Sequence, residues 1–239
     1  MPIPIRSFRV VDRKQETEET FVLQLEPADG DPMFAFKAGQ FVSLYIYNDD
    51  GSVWGKSFYS IATSPSESAE RFQLAIKARG DFTHRASQLK VGDSVGIQGP
   101  YGAFILSDET APLVLFAGGI GITPLRSMLR EALVTQKDRE IFLFYSDKSR
   151  QTMAFLKEFQ DIEVKHKKFY PIFILTNEKP LDWKGETSRL NAEMVRSRIK
   201  NMADATYCMC GPKGFMECVR EILVSCSVDV KTRLKQELF

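Results

Sequence analysis

The chain lacks an excess of either charge. Its 32 lysine and arginine residues nearly balance 31 aspartate and glutamate residues, which leaves a formal net charge of +1 over 239 residues. Proteins that bind nucleic acid or an anionic membrane surface usually carry a strongly basic face. We therefore expect neither nucleic acid nor an anionic membrane among its partners.

Long apolar runs are also missing. The longest, around residues 111–122, is too short to cross a bilayer, which takes about 20 apolar residues. The first ten residues, MPIPIRSFRV, lack the apolar core of a secretion signal. We expect a cytoplasmic protein without membrane insertion, and a monomer.

Metal-binding patterns are the third absence. The two histidines, His84 and His166, lie far apart in the sequence. The four cysteines follow a spacing that matches neither a zinc ribbon nor a plant-type iron–sulfur loop. We therefore expect no metal site and no iron–sulfur domain. Cys218 and Cys226 fall on one face of a predicted helix and are expected to be core residues.

What the sequence does contain is a strand that runs into a glycine turn and then a helix. Residues 113–117, LVLFA, form the continuous apolar run typical of a parallel strand buried on both faces. Thr123 is expected to cap a helix that begins at Pro124, which leaves the first amides free for phosphate. This predicts the diphosphate site of a dinucleotide, with an ordinary strand-to-helix turn as the alternative. The predicted binding residues are Gly118, Gly119, Gly121, Ile122, Thr123 and Pro124.

The chain changes character near residue 107. Before it, short strand-like runs separated by turns, among them residues 58–64, predict an antiparallel β-barrel. After it, strands alternate with helices, which predicts a parallel sheet with crossover helices. We therefore predict a β plus α/β fold with domains at 1–107 and 108–239. The predicted helices are 124–135, 151–160, 191–201 and 214–225.

Five short motifs occur in order along the chain. They are KSFYSIA at 56–62, GDFT at 80–83, GPYGAF at 99–104, GGIGITP at 118–124 and CGP at 210–212. Together they resemble the ferredoxin-NADP reductase family of flavoproteins, over about residues 8–239. The resemblance implies an antiparallel β-barrel flavin domain followed by a parallel-sheet α/β domain that binds NAD(P).

In that family an Arg-x-Tyr-Ser motif lies against the flavin. Tyr59 and Ser60 match its last two positions, but Ser57 stands where the arginine is expected. The resemblance implies FAD, with FMN as an alternative because that arginine is missing. We expect Lys56, Lys77 or Arg79 to supply the lost positive charge.

The GDFT motif resembles the family's Gly-x-x-Ser/Thr motif, which caps a short helix that holds the flavin pyrophosphate. An ordinary capped helix is the alternative. The residues expected at the flavin are Ser57, Phe58, Tyr59, Ser60, Ile76, Lys77, Gly80, Phe82 and Thr83.

The resemblance also implies residues that position the nicotinamide. Cys210 matches the family cysteine that lies near the nicotinamide and the flavin, and it is followed by Gly211, Pro212 and Met216. Phe239 matches the aromatic residue that covers the flavin near the carboxyl terminus. A buried cysteine and a frayed tail are the alternatives. The expected catalytic residues are Tyr59, Ser60, Cys210 and Phe239.

The choice of nicotinamide donor is open between NADH and NADPH. Relatives that use NADPH often carry Ser-Arg after the third strand of the second domain, whereas this chain has Thr176-Asn177-Glu178. The missing cation favours NADH. Ser146, Lys148 and Arg150 follow the second strand and are candidate phosphate ligands.

The resemblance as a whole implies an NAD(P)H-dependent flavin oxidoreductase. Hydride passes from the dinucleotide to the flavin, and electrons pass on to a ferredoxin, a haem protein or an oxygenase component. An accessory electron-transfer subunit of a larger redox complex is the first alternative, which Ser57 favours. A nucleotide-binding protein without flavin is the second, and it requires all five motifs to be coincidental.

Overall fold

A computed structural model describes residues 3–238. The contacts divide the chain into two units. The first comprises Met1–Leu106 with Arg126–Glu131, and the second comprises Ser107–Leu125 with Ala132–Phe239. The boundary predicted at residue 107 stays a prediction, because the middle of one helix is grouped with the first unit.

The first unit contains a six-stranded antiparallel sheet. In chain order the strands are β1 (Arg6–Gln15), β2 (Thr20–Pro27), β3 (Phe41–Tyr47), β4 (Val53–Ser60), β5 (Phe72–Lys77) and β6 (Ser94–Tyr101). They lie side by side in the order β4, β3, β6, β1, β2, β5. A bridge between Ile61 and Leu74 joins the end of β4 to β5 and closes the sheet. The predicted antiparallel fold of this half is confirmed.

Alternation of side chains builds the core of this unit. On β1, Phe8 and Val10 are fully buried while the residues between and beside them face outward. On β2, Phe21, Leu23 and Leu25 are likewise buried, and Val22 on the other face is buried as well. This period of two sends every second side chain to one face of the sheet. Helix α1 (Asp81–Ser87) follows β5.

The second unit contains a five-stranded parallel sheet and four helices. Its strands are β7 (Leu113–Gly118), β8 (Ile141–Asp147), β9 (Phe169–Leu175), β10 (Thr206–Gly211) and β11 (Leu234–Leu238), in the order β11, β10, β7, β8, β9. Its helices are α2 (Ile122–Thr135), α3 (Leu156–Lys165), α4 (Ala192–Arg198) and α5 (Lys213–Ser225). Every residue of the central strand β7 is buried, as its continuous apolar run predicts. The α/β half of the predicted fold is confirmed.

Several predicted element bounds were wrong. Helix α3 begins at Leu156 and not at 151, because the preceding residues form a loop in which Thr152 donates a hydrogen bond to the Asp147 carboxylate. Phe155 has a left-handed φ of +61°, which separates that loop from the helix. Strand β4 covers 53–60 and not 58–64, because its pairing with β3 begins at Val53.

Helix α4 is also shorter than predicted. It ends at Arg198, and Ile199 takes an extended conformation with a buried side chain. None of the helices in residues 3–238 has the length and apolar character needed to cross a membrane.

Two stacked phenylalanines at the centre of the parallel sheet give a test of its packing. Phe116 and Phe144 are paired on β7 and β8, fully buried, with ring centroids 5.0 Å apart. We expect Phe144→Ala to lower the free energy of unfolding by about 3–5 kcal/mol, measured by urea denaturation. Val164→Ala, at a side chain 86% exposed, should change it by no more than about 0.5 kcal/mol. A loss for Phe144→Ala no larger than the control's would contradict the packing argument.

Candidate functional site

One face of strand β4, the side on which Tyr59 lies and here called the β4 face, carries a buried polar atom without a hydrogen-bond partner. The hydroxyl of Tyr59 is buried and makes no hydrogen bond to the described residues. Burial raises the pKa of Tyr59, and the Ser57 hydroxyl beside it offsets part of that rise without forming a full hydrogen bond. Phe82 of α1 stacks on the Tyr59 ring at 6.2 Å between centroids. A buried polar group left unpaired costs about 1–3 kcal/mol, so this arrangement fits a ligand that supplies the missing partner.

The start of α1 lies beside this face and is held by Thr83. The Thr83 hydroxyl accepts hydrogen bonds from the backbone N–H groups of Arg79 at 2.8 Å and Gly80 at 2.9 Å. It acts from the third residue of the helix, with Gly80 in the cap position. A Cβ added to Gly80 would meet no atom within 4 Å, so the space in front of the helix start is open.

The cations expected to replace the missing arginine have other partners. Lys77 is only 8% exposed, and its Nζ lies 2.6 Å from a Glu19 carboxylate oxygen. Arg79 lies 3.9 Å from the same carboxylate. The Nζ of Lys56 lies 5.7 Å from the centre of the Tyr45 ring. The flavin role of each of these cations stays a prediction.

Two residues that the sequence motifs did not single out lie next to the β4 face. The Arg85 guanidinium stacks on the Trp54 ring at 4.8 Å, and Trp54 contacts Phe82 at 5.9 Å. Arg85 makes no ion pair with a carboxylate of the described residues. Neither residue belongs to a motif, and only the packing of α1 against β4 brings them here.

The other residues predicted to contact the flavin in this unit are Phe58, Ser60 and Ile76. Phe58 points to the opposite face of β4 from Tyr59 and packs edge-on against Phe41 at 5.8 Å. Ser60 is 2% exposed, and Ile76 belongs to the apolar core. Contacts of these side chains with a flavin stay predictions.

In the second unit, the turn after β7 differs from the prediction at Thr123. Residues Gly119–Gly121 form a 3-10 turn that runs directly into α2 at Ile122, so Gly121 takes the cap position. Thr123 is buried and its hydroxyl donates to the Ile120 carbonyl at 3.1 Å. The expected Thr123 cap was therefore wrong. Pro124 lies in the first helical turn, where an N–H has no helical acceptor to lose.

Gly119 and Gly121 have different surroundings in this turn. Gly119 has a φ of +55°, and a Cβ added to it would meet nothing within 4 Å. A Cβ on Gly121 would lie 2.3 Å from the carbonyl oxygen of Cys210. Gly119 therefore faces open space that a ligand can enter, whereas Gly121 lets the turn pack against the end of β10.

A second close approach places Cys210 at the same edge of the sheet. A Cβ on Gly211 would lie 2.9 Å from the Cα of Gly118, so β7 and β10 end in backbone contact. Cys210 is fully buried. Burial, and secondarily Glu237, raise the pKa of its thiol far above the ordinary value. The thiol stays protonated at neutral pH, which suits positioning and excludes a thiolate nucleophile.

The loops after β8 and β9 are joined by backbone hydrogen bonds. The N–H of Thr176 donates to the Asp147 carbonyl, and the N–H of Asn177 donates to the Lys148 carbonyl, each at 3.0 Å. Lys148 is exposed and Ser146 is half-buried. Arg150 forms two hydrogen bonds with the Asp182 carboxylate, at 2.9 and 2.8 Å.

The remaining predicted site residues of this unit differ in how far they are exposed. Ile122 and Met216 are buried, and Met216 belongs to the apolar core. Pro212 is exposed ahead of α5. Phe239 lies outside the described residues, and its role stays a prediction. Because β7 to β10 are parallel, the turn at Gly119, the two joined loops and the Cys210 strand end lie along one edge, where α/β sheets bind ligands.

Known protein families match both units. Residues 7–105 match the oxidoreductase FAD-binding domain, and residues 115–221 match the oxidoreductase NAD-binding domain. Among curated relatives, a flavohemoprotein of Pseudomonas aeruginosa is 29% identical over 227 residues, covering 94% of this chain and 56% of that protein. Flavohemoprotein A of Dictyostelium discoideum is 27% identical, covering 96% and 59%. The chain therefore spans somewhat more than half the length of these relatives.

Solved structures share the fold. A flavohemoglobin from Malassezia yamatoensis with bound FAD and haem has a TM-score of 0.84 at 28% identity, over 98% of this chain and 60% of that one. The flavohem-like FAD/NAD binding domain of nitric oxide dioxygenase from Vibrio cholerae has a TM-score of 0.86 at 24% identity, over 98% of both chains. With an FAD-binding domain followed by an NAD-binding domain on this fold, the chain belongs to the ferredoxin-NADP reductase family and contains its NAD(P)H–flavin oxidoreductase domains.

Proposed function

We propose that this chain takes a hydride from a nicotinamide dinucleotide onto bound FAD and passes the electrons to a haem acceptor. The observation that carries the proposal is the succession of two cofactor-binding domains in one chain, each with a site of matching chemistry. FAD, when bound, accepts a two-electron hydride and can release the electrons singly.

On the flavin side, we assign the unpaired hydroxyl of Tyr59 as a hydrogen-bond partner of the bound cofactor. Ser60 and the start of α1 at Gly80 complete the contact set, with Thr83 holding that helix start in place. We assign the positive charge at the FAD phosphates to Arg85 because it belongs to α1, the helix whose start faces open space, whereas Lys77 and Arg79 lie against the Glu19 carboxylate.

On the dinucleotide side, we assign the open space at Gly119 to the diphosphate. An added Cβ at Gly119 meets nothing, and the N-terminal amides of α2 follow directly. We assign Cys210 as a positioning residue for the nicotinamide. A buried, protonated thiol can pack against the ring without reacting with it.

The relatives support haem as the acceptor. The curated relatives cited above are flavohemoproteins, and the Malassezia structure holds FAD and haem together. The relatives extend well beyond the part that this chain matches, so the acceptor is a group outside the two domains described. A ferredoxin and an oxygenase component are the competing acceptors.

The first prediction from this proposal concerns cofactor binding and turnover. We expect the purified protein to bind FAD and show a flavin spectrum that NADH bleaches under anaerobic conditions. Ferricyanide should then support steady-state oxidation of NADH, and a haem protein should be reduced faster than a ferredoxin at equal concentration. Bound FAD without any bleaching would favour the accessory-subunit alternative. Failure to bind FAD or FMN at micromolar concentration would overturn the proposal.

The second prediction separates the two glycines. Gly119→Asn should fold normally, because asparagine tolerates a positive φ and the added atoms enter open space. It should still bind FAD but lose NADH-dependent bleaching. Gly121→Ala should instead lower the free energy of unfolding by about 1–3 kcal/mol, because its Cβ meets the Cys210 carbonyl. Wild-type bleaching in Gly119→Asn would exclude this turn as the diphosphate site.

The third prediction concerns FAD affinity. Tyr59→Phe removes the hydroxyl and should raise the FAD dissociation constant by roughly two- to tenfold. Arg85→Gln removes a charge and should raise it by about tenfold or more. Fluorescence titration of the apoprotein measures both. Tyr170→Phe and Arg71→Gln, at exposed sites, are the controls, and equal affinities in variants and controls would withdraw these two assignments.

A further inference from the structure

This inference rests on the proposed function. If the dinucleotide binds at the glycine turn, the order of the strands predicts which loops lie near each end of it. The glycine turn follows β7 at the middle of the sheet, with β10 on one side and β8 and β9 on the other. Cys210 ends β10, so the nicotinamide half belongs on that side. The adenosine half therefore extends over the loops that follow β8 and β9.

Those two loops form one built structure. Asp147 is 7% exposed, and its carboxylate accepts hydrogen bonds from the Lys148 N–H at 2.7 Å and the Thr152 hydroxyl at 2.8 Å. Its carbonyl accepts from Thr176 at the end of β9. The loop after β8 therefore holds a fixed shape, and with it the backbone of Arg150.

Three groups contact Arg150: a carboxylate and an aromatic ring contact its guanidinium, and a second carboxylate contacts its backbone N–H. Both terminal nitrogens of its guanidinium bond to the Asp182 carboxylate, at 2.9 and 2.8 Å. The guanidinium lies 5.3 Å from the centre of the Trp183 ring, and the Trp183 indole N–H is fixed by the Glu186 carbonyl at 3.1 Å. The backbone N–H of Arg150 donates to the Glu178 carboxylate.

These contacts change the electrostatics of the loop. The ion pair raises the pKa of Arg150 and lowers that of Asp182, so both groups are charged across the neutral range, and the carboxylate lies 2.8 Å from the guanidinium. Glu178 adds a carboxylate at the same place. NADPH differs from NADH only by a 2′-phosphate on the adenosine ribose, and recognition of that group needs an available cation. A carboxylate nearby repels it.

We propose that Asp182 makes this chain selective for NADH by neutralising Arg150, the guanidinium on the loop that faces the adenosine ribose. Glu178 reinforces the selection through repulsion of a 2′-phosphate. Lys148, exposed on the same loop, offers a hydrated point charge in place of the two parallel N–H donors of a guanidinium. The inference rests on the proposed dinucleotide site, but it concerns the choice between donors and not the existence of the site.

Two simple nucleotides test this without flavin chemistry. Adenosine 5′-monophosphate and adenosine 2′,5′-bisphosphate are titrated calorimetrically into the full chain with its FAD bound. The wild-type protein should bind the monophosphate more tightly. Asp182→Ala should shift the ratio of the two affinities at least about tenfold toward the bisphosphate. Asp182 is well exposed, at 75%, so its removal should leave the fold intact.

Two controls isolate the role of the ion pair. Asp161→Ala removes an exposed aspartate that pairs with Lys157 on α3, and it should leave the ratio unchanged. Asp182→Ala combined with Arg150→Ala should return the ratio to the wild-type value, because the released cation is then gone. The ratio of kcat/KM for NADPH and NADH should follow the same pattern.

The outcomes separate this inference from the proposed function. A wild-type preference for the bisphosphate, or an unchanged ratio in Asp182→Ala, overturns the role of Asp182 while the dinucleotide site stands. Binding of neither nucleotide at millimolar concentration overturns the site and this inference together.

Discussion

Backbone contact between the turn after β7 and the end of β10 is the constraint on which the dinucleotide site depends. A side chain at Gly121 would collide with the Cys210 carbonyl, and one at Gly211 would collide with Gly118. Without these side chains, the two strand ends meet and leave Gly119 facing open space. The same contact fixes Cys210 at that edge with its thiol buried and protonated. One packing requirement therefore positions both the turn proposed to bind the diphosphate and the residue expected at the nicotinamide.

In the first unit, the proposed flavin site is marked by one buried hydroxyl that lacks a hydrogen-bond partner. Tyr59 buries its hydroxyl without a partner in the described chain, and Phe82 covers its ring. A protein tolerates such a cost where a ligand repays it. Ser57 stands where the family has its phosphate-binding arginine. Among the described residues near β4, Arg85 lies over Trp54 and Lys56 lies over Tyr45, and neither forms an ion pair with a carboxylate. Under the proposed function, the charge at the flavin phosphates would come from α1 and not from the position that the motif indicates.

Ion pairs decide which cations are available in both units. Lys77 is paired with Glu19 in the first unit, and Arg150 is paired with Asp182 in the second. Each was a candidate for phosphate binding by its place in the sequence. A cation that already has a carboxylate partner must break that contact before it can bind phosphate. The ion pair therefore lowers the affinity of that cation for a phosphate group. On the proposal above, selectivity for NADH would follow from these ion pairs and not from the number of basic residues.

The sequence by itself determined the two-part fold, because alternating side chains in one half and a continuously apolar strand in the other dictate which faces are buried. The order of the five motifs also indicated the family, which the matching domains confirm. Tertiary structure alone decided the separate roles of Gly119 and Gly121, the absence of a Thr123 cap, and the late start of α3 at Leu156. It also decided the partners of Lys77 and Arg150. Glu19 and Asp182 lie far from them along the chain, and no local spacing reports a contact made by folding.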